Sequence, residues 1–323
     1  MTEIEISPLN DDLSLRAHAV LPGGHFGNMA SDVIIARGKE GRIWDNRGNE
    51  YVDFLLGSGP MFVGHAHPKV TEAVLNQVPN GTTFFANNVH GIKLAEEICA
   101  AVNCIEQIRF VSSGSEATLY AMRIARAYRE RDKVLKFEGG YHGMSDYSLM
   151  SLAPKTLSNF PQAIPDSPGI PKKVSEEVIV APFNDTDMFK SILDQHHEQL
   201  GAVIVEPFQR LIPPAPGFLE VLRDMTLKYD IPLIFDEIVT GFRFAYGGAQ
   251  EFYSVTPDLC SLGKIIGGGF PLAAVGGRKD LMQLFNKDAV SDKHFLPQIG
   301  TLSGNPVASA AGLATLELSL IHI

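Results

Sequence analysis

Two residues of this 323-residue chain stand where chemistry could be done between them, Asp236 and Lys264. Asp236 closes an apolar run, Leu233, Ile234 and Phe235, short enough for a buried strand. Lys264 follows a second short run, 258–262, and is itself followed by Gly267, Gly268 and Gly269. A carboxylate at one strand end and a lysine at another can meet above the carboxyl edge of a parallel sheet, where open α/β sheets bind ligands. A lysine can form a Schiff base with the aldehyde of pyridoxal phosphate, and an aspartate can hold that cofactor's pyridinium nitrogen protonated. The same residues are compatible with a solvated lysine and an aspartate that caps a helix, since charged side chains are mostly at the surface.

A sheet must stand behind those strand ends. Short apolar runs at 108–111, 133–137, 177–181, 202–205 and 272–275 read as further strands. Between them, amphipathic stretches at 91–102, 117–128, 187–199, 218–229 and 307–318 read as helices. Alternation of this kind predicts an α/β fold built on a parallel sheet with right-handed crossovers. Ahead of it, 34–54 alternates in polarity and breaks at Gly41 and at Asn46-Arg47-Gly48, which predicts small strands joined by tight turns. Residues 1–30 read as an arm with one short helix.

Other residues sit at the ends of these elements. Ser113, Gly114 and Ser115 place free amides and hydroxyls at a helix N-terminus, a phosphate site by geometry and dipole or an ordinary serine cap. Glu138 to Gly143 carries Tyr141 and His142 past a strand end, where an aromatic can stack on a flat ring. Glu206-Pro207 ends another strand, and Arg210 follows in a proline-stiffened loop, with Arg243 a competing guanidinium. A guanidinium there suits a substrate carboxylate. The proline- and serine-rich stretch 152–176 is long for a loop and reads as an active-site lid. His65 and His67 lack a third metal ligand nearby and read as turn packing. Gly263-Lys264 precedes its glycines, so the stretch is not a P-loop, whose lysine comes after the second glycine.

Composition narrows the class. A formal net charge of −10 argues against a nucleic-acid surface. No run of about 18 apolar residues suggests a membrane span. The acidic start MTEIEISPLNDD lacks the features of a signal peptide, and three cysteines without metal-site spacing suit a reducing cytoplasm.

The motifs SSGSEA, KFEGGYHG, VEP, IFDEIVTGFR, GGAQEFY, PDLCSLGKIIGGGFPLAAVGG and GTLSGNP together resemble the class III pyridoxal-phosphate-dependent aminotransferases. The resemblance covers roughly 34–318 and implies fold type I, the aspartate-aminotransferase type. SGPMFVGHAHP and PDSPGIP look closest to the branch of glutamate-1-semialdehyde aminomutase and related transaminases. By this resemblance, Lys264 is the Schiff-base lysine and Asp236 pairs with the pyridine nitrogen. Ile238 and Tyr141 pack on the two ring faces, and Ser113, Gly114 and Ser115 hold the phosphate. Thr301 reaches the phosphate of a neighbouring subunit, which implies a homodimer with shared sites. His142 and Glu206 match motif positions at the cofactor, and Ser58, Arg210 and Arg243 are candidates for substrate contact. The resemblance implies a small N-terminal segment at 1–60, a large cofactor-binding domain at 61–318 and an atypical tail at 319–323. A further C-terminal domain of the family is outside this sequence. The stretch LAPKTLSNFPQAI and the Arg210 loop depart from the aminomutase pattern. The expected activity is therefore amino transfer between a small-molecule amino donor and a carbonyl acceptor, with the aminomutase reaction as the alternative and an inactive pyridoxal phosphate binder as a remote one.

Overall fold

A computed structural model describes residues 10–28, 33–156 and 159–322. The strands among the described residues are β1 (Ile35–Lys39), β2 (Arg42–Asp45), β3 (Glu50–Val52), β4 (Gln107–Val111), β5 (Lys133–Phe137), β6 (Val178–Ala181), β7 (Leu200–Val205), β8 (Leu233–Asp236), β9 (Leu259–Leu262) and β10 (Ala273–Gly277). The helices are α1 (Asn10–Val20), α2 (Pro68–Gln77), α3 (Val89–Ala101), α4 (Gly114–Arg129), α5 (Lys172–Glu176), α6 (Thr186–His196), α7 (Phe218–Lys228), α8 (Ala249–Phe252), α9 (Lys279–Met282) and α10 (Pro306–His322). None of the described helices is long and apolar enough to cross a membrane.

The first three strands form an antiparallel sheet in the order β1-β2-β3. Its β2–β3 turn is the one the Asn46-Arg47-Gly48 break predicts. The Asp45 carboxylate accepts from the Arg47 and Asn49 amides and the Tyr51 hydroxyl, and Gly48 supplies the left-handed backbone. His65 meets Asp53 at 2.6 Å, and His67 caps α2. Both histidines therefore pack turns, and among the described residues no cluster could hold a metal ion.

The large sheet runs β4-β10-β9-β8-β7-β5-β6. Every neighbouring pair from β6 to β9 is parallel, and β10 lies antiparallel to both β9 and β4. This is a mostly parallel mixed sheet flanked by helices, of fold type I. Continuous apolar runs fill these strands because both faces are covered. Val203, Val205, Leu233 and Phe235 pack on one side with Leu94, Phe189 and Phe218 of α3, α6 and α7. Ala202, Ile204 and Ile234 pack on the other with Ala121 and Ile124 of α4. The two-residue period sends Asp236 to the α4 side, together with Ile234.

Two expectations change here. The described part of stretch 152–176 packs along the sheet instead of standing free: Pro161 O accepts from Val180 N at 3.0 Å, Gln162 bridges Ile179, and Asp166 takes the amides of Leu152 and Ala153. The described part of it covers the free edge of β6, as an exposed edge strand requires. The final helix, expected to stop at Leu318, continues through His322, and Ser319 is fully buried. Residues 319–322 thus belong to α10, whose sequence carries no helix stop signal before them. Ile323 lies outside the described residues, as do 1–9 of the expected arm.

Candidate active site

A cleft of about 230 Å3 opens where β4, β5, β7, β8 and β9 end. Gly114, Ser115, Tyr141, His142, Glu206, Asp236, Ile238 and Lys264 line it. Strand register explains the floor. Asp236 is paired with Ser261 across β8 and β9, so the Ser261 hydroxyl donates to Asp236 Oδ1 at 2.9 Å. Ile238 N donates to the same oxygen at 3.2 Å, and His142 Nδ1 lies 2.8 Å from Oδ2. These three contacts surround the Asp236 side chain, which is only 5% exposed. Burial pushes the His142 ring toward its neutral form, against the pull of Asp236.

Glu206 accepts the Tyr141 amide at 2.9 Å. Burial, and then the nearby Asp236 charge, raise its pKa to about 7. Tyr141 and His142 are held by the strand-to-loop turn after β5. Lys136, buried in that strand, donates to the carbonyls of Gly140 at 2.9 Å and Ser148 at 3.2 Å and also to that of Met150. The Thr118 hydroxyl of α4 donates to His142 O at 2.6 Å. Burial lowers the Lys136 pKa to about 8.

At the helix end, Ser113 and Glu116 form a reciprocal capping box. Ser113 is exposed, bonds to Glu116 and does not line the cleft, so the serine-cap reading describes its side chain. Gly114 and Ser115 face the cleft behind it. A Cβ on Gly114 would come within 3.2 Å of Ile238, and one on Gly143 would strike Ser115. The close approach of α4, Ile238 and the 143 turn therefore depends on two glycines.

The rim is made by loops. Lys264, with left-handed backbone, is half-buried and donates to Ser58 O at 2.8 Å. Burial lowers its pKa, and the Arg243 guanidinium lowers it further. Arg243 donates to Val239 O at 3.1 Å and to Gly59 O, and lies over Phe62. Arg210, also left-handed, lies with its guanidinium carbon 5.1 Å from the Tyr141 ring centre. Thr301 is exposed in the loop ahead of α10 and does not line the cleft. That loop borders a larger cavity of about 540 Å3 between 85–95 and 298–304, whose only charged residue is Arg109.

The fit to a cofactor can be judged from these groups. A buried carboxylate supported by three donors suits a protonated ring nitrogen. A half-buried lysine faces the same space, and the N-terminus of a 16-residue helix suits a phosphate. The donor set fits pyridoxal phosphate.

Residues 26–320 match the sequence profile of the class-III aminotransferases. The chain belongs to that family. Its members depend on pyridoxal phosphate, the cofactor expected from Asp236 and Lys264. The glutamate-1-semialdehyde 2,1-aminomutase of Desulforamulus reducens is 42% identical over 318 residues, covering 95% of this chain and 72% of that protein. That of Thermodesulfovibrio yellowstonii is 47% identical over 289 residues, covering 88% and 66%. Among solved structures, an omega-transaminase from Sphaerobacter thermophilus superposes with a TM-score of 0.90 at 39% identity, covering 95% of this chain and 72% of that one. The chain thus spans about 70% of its relatives' length.

Lys136, Ser261, Thr118 and Gln209 escaped sequence reasoning. The signal for Ser261 was available, since it follows from the register between two strands already identified. Lys136 reads as an ordinary exposed lysine until the turn that buries it is seen.

Proposed function

We propose that this chain transfers an amino group on a small substrate that carries a carboxylate, with pyridoxal phosphate held between Asp236 and Lys264. The observation that carries this reading is the triply supported Asp236 carboxylate sharing one cleft with Lys264. When bound, the cofactor supplies a carbonyl for the amine and an electron-withdrawing ring. Asp236 keeps the ring nitrogen protonated, which sustains that electron demand. Lys264, with its amine pKa lowered by burial, takes and returns a proton at Nζ. Ser58, through its carbonyl, orients that amine. Gly114 and Ser115 would hold the phosphate, and Ile238 and Tyr141 would bound the ring. Glu206, whose pKa is raised to about 7 so that both its forms are populated near neutral pH, and His142 complete the pocket. Arg210 orients the substrate carboxylate; its guanidinium has no hydrogen-bond partner among the described residues and stands at the cleft mouth. Arg243 is already engaged with two carbonyls.

The finer reading is the aminomutase reaction, in which the amino group moves between adjacent carbons of one molecule. The identities of 42% and 47% to two such enzymes support it. Transamination between two molecules is the second reading, favoured by the TM-score of 0.90 to an omega-transaminase and by the Arg210 loop. Glutamate-1-semialdehyde given alone to the longest form of the protein separates them. The aminomutase yields 5-amino-4-oxopentanoate without any added donor. A transaminase acts only on a donor and acceptor pair, and inactivity toward both, with cofactor bound, would overturn the proposal.

We also assign a second copy of the chain to the face around the larger cavity, where Phe85, Ile92 and Ile299 are exposed and Thr301 projects. In that homodimer Thr301 serves the neighbouring phosphate. The cytoplasm is the compartment we assign. The division into a 1–60 segment and a 61–318 domain is likewise our reading. A monomer by sedimentation at micromolar concentration would remove the shared site.

A further inference from the structure

Two polar side-chain atoms beneath the cleft lack a hydrogen-bond partner among the described residues, Nε2 of His142 and Oε1 of Gln209. Both residues are buried, at 1% and 3% exposure. An unsatisfied buried polar atom costs about 1–3 kcal/mol, so two neighbouring ones require a partner. They border one spot. A Cβ built on Gly140 would lie 3.1 Å from His142 Nε2 and 3.4 Å from Gln209 Oε1. Phe137 O, also 3.1 Å from that position, already accepts from Gly140 N, so the two orphaned atoms are the free acceptors beside the bare Gly140 Cα.

The surrounding donors decide what fits there. Gln209 Nε2 donates to Glu138 O at 2.8 Å, which orients the amide and makes Oε1 an acceptor toward the spot. Asp236 already accepts from Ser261 and Ile238, so the proton in its contact with His142 lies on Nδ1. A neutral imidazole protonated at Nδ1 presents Nε2 as a second acceptor. Two acceptors facing one point need a single small molecule with two O–H groups. Protonating Nε2 instead would add a cation near Lys136 and Arg210, both of which oppose it, as does burial. Asp236 is the carboxylate that favours the extra proton, and Glu206 stands beyond it.

We infer that one buried water donates to both His142 Nε2 and Gln209 Oε1, and that Gln209 is thereby a positioning residue. Through this water it satisfies Nε2 as an acceptor and so reinforces the neutral Nδ1–H tautomer that faces the Asp236 charge. The use of that charge rests on the amino-transfer reading. The proton position on His142 does not, so the two can fail separately.

The test has two parts. A crystal structure of the full chain should show a water about 3 Å from both atoms, and Gly140→Ala should expel it. In 15N-histidine spectra of the protein, with and without pyridoxal phosphate, His142 should carry its proton on Nδ1 alone from about pH 6 to pH 8. Its signals are assigned by their loss in His142→Asn, whose amide can still reach Asp236. Gln209→Leu should shift the His142 Nε2 signal while the proton stays on Nδ1, and Gln209→Glu should raise the ring's titration by about one unit or more, since a carboxylate favours imidazolium. Direct contact between Nε2 and Oε1 with no water overturns the inference. So does a doubly protonated His142 at neutral pH, or a His142 spectrum indifferent to both Gln209 variants. An inactive enzyme with the expected tautomer would refute the functional reading and leave this one standing.

Discussion

The floor and the rim of the cleft are built differently. On the floor, Asp236, His142, Glu206 and Lys136 sit at or just past strand ends, buried and fixed by register, amides and carbonyls. On the rim, Ser58, Arg210 and Lys264 occupy loops with left-handed backbone, and Tyr141 is 38% exposed. Rigid strands thus carry the charges that must not move, and loops carry the groups that meet substrate. Left-handed non-glycine residues store strain of about 1–3 kcal/mol each, and three of them, Ser58, Arg210 and Lys264, meet at this rim.

The comparison can be broken from the largest effect downward. Lys264→Ala removes the rim's one proton-transfer group. Turnover should fall by at least roughly 10²–10⁴-fold, the usual contribution of such a group. Borohydride reduction of the loaded protein followed by peptide mapping should mark Lys264, and a mark on any other lysine would reject its role. Asp236→Asn alters the floor without emptying it. Pyridoxal phosphate should still bind, while turnover falls by a smaller but still large factor, because an amide cannot hold the ring proton; near-normal turnover would reduce Asp236 to a structural group.

Glu206 makes the floor sensitive to pH. Its pKa rises from 4.5 to about 7 on folding. The folded state therefore holds the proton more tightly than the unfolded one between those values. Stability falls as pH rises through that window, by on the order of 3 kcal/mol in total. Glu206→Gln should abolish this part of the slope in urea melts at pH 5 and pH 8, and an unchanged slope would assign the titration elsewhere.

Arg210→Ala tests the rim most finely. A charged hydrogen bond of this kind contributes about 1.5–3 kcal/mol. The variant should lose about ten- to hundredfold in kcat/KM for amino acids and keep its activity on amines without a carboxylate. Equal losses on both would make Arg210 a packing residue for Tyr141.

Much of the floor was legible in the sequence, because strand ends announce themselves. An apolar run that stops at Asp236, and another that stops before Gly263-Lys264, put both residues at one sheet edge before any coordinates. The reversal of β10 was not legible, since its run reads like that of its parallel neighbours and direction depends on the connection. Stretch 152–176 misled for a related reason. Length and proline content mark a functional loop, but what it covers depends on a free β6 edge that only the strand order reveals. The capping box at Ser113 and Glu116 engages Ser113, so in the proposed reading the phosphate falls to Gly114 and Ser115.

The place of β10 also bears on how the chain is assembled. β4, which leads into the Ser113–Ser115 turn, is an edge strand whose only sheet neighbour is β10, with Val111 paired to Ala273. During synthesis β4 emerges early and waits for almost the whole domain before its partner exists. Such distant pairing slows folding and leaves an unpaired strand exposed to other chains in the meantime. The turn after β4 is thus anchored late, since both β4 and β9 lack their shared neighbour until β10 is made.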